Sequence, residues 1–74
     1  MHLLNGWTKE VFNCIQKLGK KEFEIKELYI FQQDLKKLYP LNNHIEQKIQ
    51  QQVQVLEKEK FLKRLKRGRY CLAA

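Results

Sequence analysis

With 74 residues and a mass of 9.0 kDa, the chain is about half the length of a typical domain and holds at most one compact unit. Its 43% hydrophobic and 31% charged residues, with three Gly and one Pro, belong to a folded domain and not to a disordered tail. So small a core leaves little volume for a deep catalytic pocket, which favours binding over catalysis. The net charge is +7, and it is uneven: residues 1–56 carry eight basic and six acidic side chains, residues 57–74 seven basic and two acidic. Such a field suits a polyanion, nucleic acid first, with an anionic membrane surface or an acidic protein as alternatives.

Thr8 is placed to cap a first helix over about residues 8–18, in which Val11, Phe12, Ile15 and Leu18 recur at helical spacing until Gly19 ends it. Lys20 to Ile25 alternates polar with apolar and predicts one short strand or an extended connector. From Lys26 a second helix is expected, with Leu28, Phe31, Leu35 and Leu38 as its apolar stripe, Tyr29 and Ile30 widening it, and Pro40 forcing its end. Asn43 then caps a third helix of about 16 residues, with Glu46 closing a capping box. Ile45, Ile49, Val53 and Leu56 form its buried stripe, with Val55 at the edge. Phe61–Leu65 and Tyr70–Leu72 read as strands joined by the cationic turn Lys66-Arg67-Gly68-Arg69. The order helix, strand, helix, helix, strand, strand predicts a mostly α domain with a small β-hairpin, a winged helix-turn-helix spanning residues 1–74.

No catalytic group of residues stands out: the chain has one Asp, Asp34, and no Ser, and Glu22, Glu24 and Glu27 match no paired metal site. Cys14 and Cys71 are too few for a zinc site and are expected as reduced thiols. No cofactor, metal or membrane span is expected.

Five glutamines among residues 45–54 give the third helix an amide-rich face with little charge. In a winged helix that element enters the major groove. Gln47, Gln50 or Gln51 can there pair with adenine N6 and N7, while Asn43, His44 and Lys48 can meet base edges or phosphate. Gln54 and the wing residues Lys63, Arg64, Lys66, Arg67 and Arg69 are expected on the DNA backbone.

The segments Trp7-Thr8-Lys9-Glu10-Val11, Leu18-Gly19-Lys20-Lys21-Glu22-Phe23, Leu38-Tyr39-Pro40-Leu41-Asn42-Asn43-His44-Ile45, Lys48-Ile49-Gln50-Gln51-Gln52-Val53-Gln54 and Arg67-Gly68-Arg69-Tyr70 together resemble the C-terminal winged-helix domain of DpnI and the Dam-replacing restriction proteins. The resemblance covers about residues 7–72. It implies recognition of GATC with N6-methylated adenine by a domain attached to a separate magnesium-dependent nuclease domain, in a bacterial, cytoplasmic, DNA-associated protein. It also places Asn43, His44, Gln47, Lys48, Gln50 and Gln51 at the methylated site. Gln50 stands where the resemblance leads one to expect Arg. Lys60 stands where it leads one to expect Gly, which predicts a longer helix or a changed exit, and the wing is more basic than expected. The alternatives are a winged-helix transcriptional regulator and a protein-interaction module with non-specific DNA affinity.

Overall fold

The computed structural model describes residues 6–73. The described residues form α1 (Gly6–Leu18), β1 (Glu22–Glu24), a 3-10 segment (Ile25–Phe31), α2 (Gln32–Leu38), α3 (Ile45–Lys58), β2 (Leu62–Lys66) and β3 (Arg69–Leu72). This is the expected order and the winged helix-turn-helix architecture. One three-stranded antiparallel sheet has the order β1-β3-β2, and α1 and α3 pack together over it. The core lies between these layers and contains Val11, Ile15, Phe23, Leu28, Leu35, Ile49, Val53, Leu56, Leu62 and Tyr70.

Helix α1 buries Val11, Cys14 and Ile15 at three- and four-residue spacing and stops at Gly19, whose φ of 68° and N–H to the Gln16 carbonyl (3.1 Å) make the left-handed exit. Thr8 lies inside this helix and is not its cap. Its hydroxyl donates to Gln52 Oε1 on α3, which gives the buried Gln52 amide a partner. Cys14 and Cys71 are free thiols, the first buried and the second half-buried; burial pushes the Cys14 thiol above its ordinary pKa.

The expected second helix is α-helical only over its last seven residues. Its first half is 3-10, because Ile25, Leu28 and Phe31 are spaced by three and a three-residue turn aligns them on one side. Leu28 is buried, and Ile25 and Phe31 pack against the core. The same winding turns Ile30 outward, at 72% exposure, so it does not widen the apolar stripe, and Leu38, expected in the stripe itself, is 56% exposed at the end of α2. The Glu24 N–H donates to Glu27 Oε2 at 2.7 Å and starts the segment. The Lys20 ammonium and this N–H hold the Glu27 carboxyl below its usual range.

The turn before α3 also differs from expectation. His44, and not Asn43, is the N-cap, and it makes no side-chain cap bond. Instead Asn42 Oδ1 accepts the His44 N–H at 2.7 Å, an Asx turn. Glu46 closes no capping box with Asn43; its Oε2 accepts from Gln32 Nε2 at 2.9 Å.

At the other end of α3 the backbone exit is a Schellman motif: Lys60 N–H reaches the Glu57 carbonyl (3.0 Å) and Phe61 N–H the Leu56 carbonyl (2.9 Å). Lys60 holds the left-handed position at φ 68°. The lysine therefore neither lengthens the helix nor redirects it, and the conformation a glycine would adopt is kept with a Cβ in place. Beyond it Phe61 meets Phe12 edge-on at 5.5 Å, and Leu62 pairs across from Leu72.

A non-glycine residue in left-handed geometry costs about 1–2 kcal/mol. Lys60→Gly removes that strain while giving the unfolded chain more freedom, so it is expected to stabilise the domain by about 1 kcal/mol, read as a higher urea midpoint at unchanged slope.

Candidate nucleic-acid interface

Successive residues of an α-helix turn by about 100°, so burial of Ile45, Ile49, Val53 and Leu56 settles where every other side chain of α3 points. Gln47, Gln51 and Gln54 lie opposite the core and are exposed, with His44 in line at the start. Gln50 and Lys48 occupy opposite flanks. The fifth glutamine, Gln52, departs from the expected amide row: it is 7% exposed and bonded to Thr8.

Two depressions run along this face. A notch of about 360 Å³ at the start of α3 is lined by Asn42, His44, Gln47, Lys48 and Gln51. A larger groove of about 660 Å³ between α3 and the wing is lined by Gln50, Gln54, Glu57, Arg64, Arg67 and Tyr70, among others. Asn43 is exposed beside the notch, its Oδ1 accepting from Lys36 Nζ at 3.3 Å while the same ammonium donates to the Asn42 carbonyl at 2.7 Å. On the opposite flank Lys48 Nζ stands 5.9 Å from the centre of the Trp7 ring. That ring stacks on Tyr39 at 4.2 Å, and Trp7, which lies within α1 and not before it, also packs against the core. Tyr39 is a stacking partner at the edge of the core.

Strand alternation divides the wing cations. Arg64 stands opposite Tyr70, on the face turned to α3, and with Arg67 it lines the groove. Lys63 stands opposite Cys71, on the other face. Leu65 forms a bulge, after which Lys66 pairs with Arg69, and Gly68 supplies φ 76° at the tip. Arg69 faces β1, with Nε 3.7 Å from Glu22 and Nη1 3.5 Å from Glu24. Lys26 lies 3.2 Å from the same Glu24 carboxylate. The five wing cations thus split into two that face the groove, two exposed lysines, and one that bridges acidic side chains.

Three lining residues escape a reading of the sequence. Asn42 is hidden by the stronger cap signal expected of Asn43. Tyr70 reads as core. Glu57 was legible in principle, since it lies three residues after Gln54 and seven after Gln50, on one helical face.

An amide-rich helix face beside a cationic wing is a surface for duplex DNA, and the sequence match agrees with it. Residues 4–71 match the Dam-replacing helix-turn-helix domain, the C-terminal domain family of DpnI. The chain belongs to this family. As a Dam-replacing helix-turn-helix domain it is a DNA-binding module. Among the described residues no helix is long and apolar enough to cross a membrane, and no group of three or more His, Cys, Asp or Glu side chains is arranged to hold a metal.

The Arg69 contacts are long and half-exposed, and such pairs contribute little. Arg69→Ala should lower stability by less than about 1 kcal/mol in urea unfolding at low salt, and the difference should shrink as salt screens the pair.

Proposed function

We propose that this domain reads the sequence GATC in double-stranded DNA when its adenine is N6-methylated, as the specificity domain of a methyl-directed restriction endonuclease. In this reading the whole chain, residues 1–74, is one winged-helix unit, and a magnesium-dependent nuclease domain is a separate part of a bacterial, cytoplasmic protein. The observation that carries the proposal is the outward row of His44, Gln47, Gln51 and Gln54 on α3, flanked by the groove that Arg64 and Arg67 line.

Asn43, His44, Gln47, Lys48, Gln50 and Gln51 meet base edges in the major groove. Gln54, Lys63, Arg64, Lys66, Arg67 and Arg69 serve the backbone, Arg64 and Arg67 from within the groove. The exposed lysines and the acid-bridged Arg69 act mainly through the field. Phosphate neutralisation supplies affinity without sequence preference, whereas amide contacts to bases supply discrimination.

N6-methylation adds an apolar group in the major groove and leaves N7 as an acceptor. A methyl in good contact is worth about 0.8 kcal/mol, so the two methyls of a palindromic site amount to about tenfold in affinity. A side chain facing them must therefore offer its CH₂ stem or amide plane, and glutamine has both.

Fluorescence anisotropy at about 150 mM salt tests the reading, with otherwise identical duplexes carrying methylated GATC, unmodified GATC and a scrambled site. Methylated GATC is expected to bind at least about tenfold more tightly; equal binding to all three would overturn methyl recognition and leave DNA binding. Gln51→Ala should relax the preference, while Arg67→Ala should weaken every duplex alike and flatten the logarithmic salt slope by about one unit. The reverse pattern would invert the assignment of helix and wing.

A further inference from the structure

We propose that Tyr29 is a positioning residue for base readout: it holds the Gln50 side-chain amide in the orientation that meets a base edge. The inference rests on the proposed major-groove placement of α3 and concerns a residue outside the helix that meets the bases.

Gln50 Nε2 donates to Tyr29 Oη at 2.7 Å, across 21 residues of chain. Among the described residues, Gln47, Gln51 and Gln54 have no such partner. The phenol is a firm anchor, because Tyr29 is half-buried, packs against the core and follows Leu28, which is 1% exposed. Gln50 is exposed and lines the groove between α3 and the wing.

A free glutamine loses rotamer freedom when it pairs with a base, and that loss weakens the contact. Here much of the ordering is complete before DNA arrives. The amide has two N–H donors and one carbonyl acceptor. With one N–H held by Tyr29, one N–H and Oε1 remain for the groove, a donor–acceptor edge. An unmethylated adenine, as in the base pairs that flank GATC, presents the complementary acceptor and donor at N7 and N6. Guanine presents two acceptors at N7 and O6, and a paired N6-methyladenine presents N7 beside its methyl group, its one N6 proton being used in pairing. Tyr29 thereby sharpens the choice between purines at the base pair Gln50 faces, without touching DNA itself.

The test uses the full chain and duplexes in which each base pair of a central methylated GATC and its immediate flanks is replaced in turn. Gln50→Ala identifies the base pair at which selectivity falls. Tyr29→Phe is expected to lower selectivity at that same base pair by about three- to tenfold, with an unchanged salt slope, and the double variant to be no worse than Gln50→Ala alone. A second measurement needs no DNA: in the free protein the Gln50 side-chain amide protons should exchange faster with water in Tyr29→Phe than in the parent. Full retention of selectivity in Tyr29→Phe, a uniform loss across all duplexes with a changed salt slope, or unaltered amide exchange would each overturn the proposal. Absence of any base selectivity in the parent domain, with normal amide exchange effects, would instead overturn the proposed function and take the readout role of Tyr29 with it.

Discussion

Ile49, Val53 and Leu56 have at most 1% of their surface open to solvent, and this seating of α3 in the core that the described residues form is the constraint on which the other features depend. A helix held along one narrow stripe cannot rotate about its axis without exposing an aliphatic side chain, at about 1.5–3 kcal/mol each. The polar contact between Thr8 and Gln52 adds direction to that hold, since any rotation leaves a buried amide unpaired. The outward face is therefore a consequence of the inward one. Its four glutamine and histidine side chains stand in a row because the core residues stand in a row.

Rotation fixed by the core still leaves the front edge of α3 to be aligned, and the segment before it does this through regular spacing. Tyr29, Gln32 and Lys36 follow one another at three and four residues, so the 3-10 segment and α2 present them along one side. They meet Gln50, Glu46 and the Asn42–Asn43 pair, positions about four residues apart down α3 and its leading turn. Three side chains of the 3-10 segment and α2 thus grip three successive levels of α3 and its leading turn. The unusual length of the 3-10 run follows from the same requirement: Ile25, Leu28 and Phe31 face the core at a spacing of three, and this winding delivers Tyr29 to the α3 side.

The order of elements, the buried stripe of α3 and the hairpin with Gly68 at its tip were legible because each rests on a local pattern: periodicity, a stop residue or a turn residue. The 3-10 winding was not, since Leu28, Phe31, Leu35 and Leu38 fit an α-helix as well as a tighter coil until the packing of half-buried Ile25 against the core and the exposure of Leu38 are known. Asn42 and Asn43 are chemically equivalent as caps, and the fold separates them by giving the His44 N–H to Asn42 Oδ1 and the Lys36 ammonium to Asn43 Oδ1. Gln52 was indistinguishable from its four neighbours in type; its phase on the helix placed it at the edge of the buried stripe, but the partner that tolerates it there, Thr8, lies 44 residues away. The division of the wing cations needed strand register, which a bulge at Leu65 shifts by one residue.

That division changes what the charge of the C-terminal quarter means. A net excess counted along the chain treats seven basic residues as one patch, yet Arg69 stands against Glu22 and Glu24, and Glu57 puts a carboxylate among Arg64, Arg67 and two glutamines. Within the groove, attraction is therefore tempered where the backbone of a duplex would lie closest, and the long-range field is carried by cations outside it. A domain so arranged draws DNA in by charge while leaving contact at the helix to amide groups. Hydrogen bonds of that kind depend on orientation, and orientation is what the core, the Thr8–Gln52 contact and the Tyr29 anchor supply. Lys60, left-handed at the exit of α3, belongs to the same logic: a strained residue is retained where it turns the chain into β2 and sets the wing beside the helix, so the groove between them keeps its width.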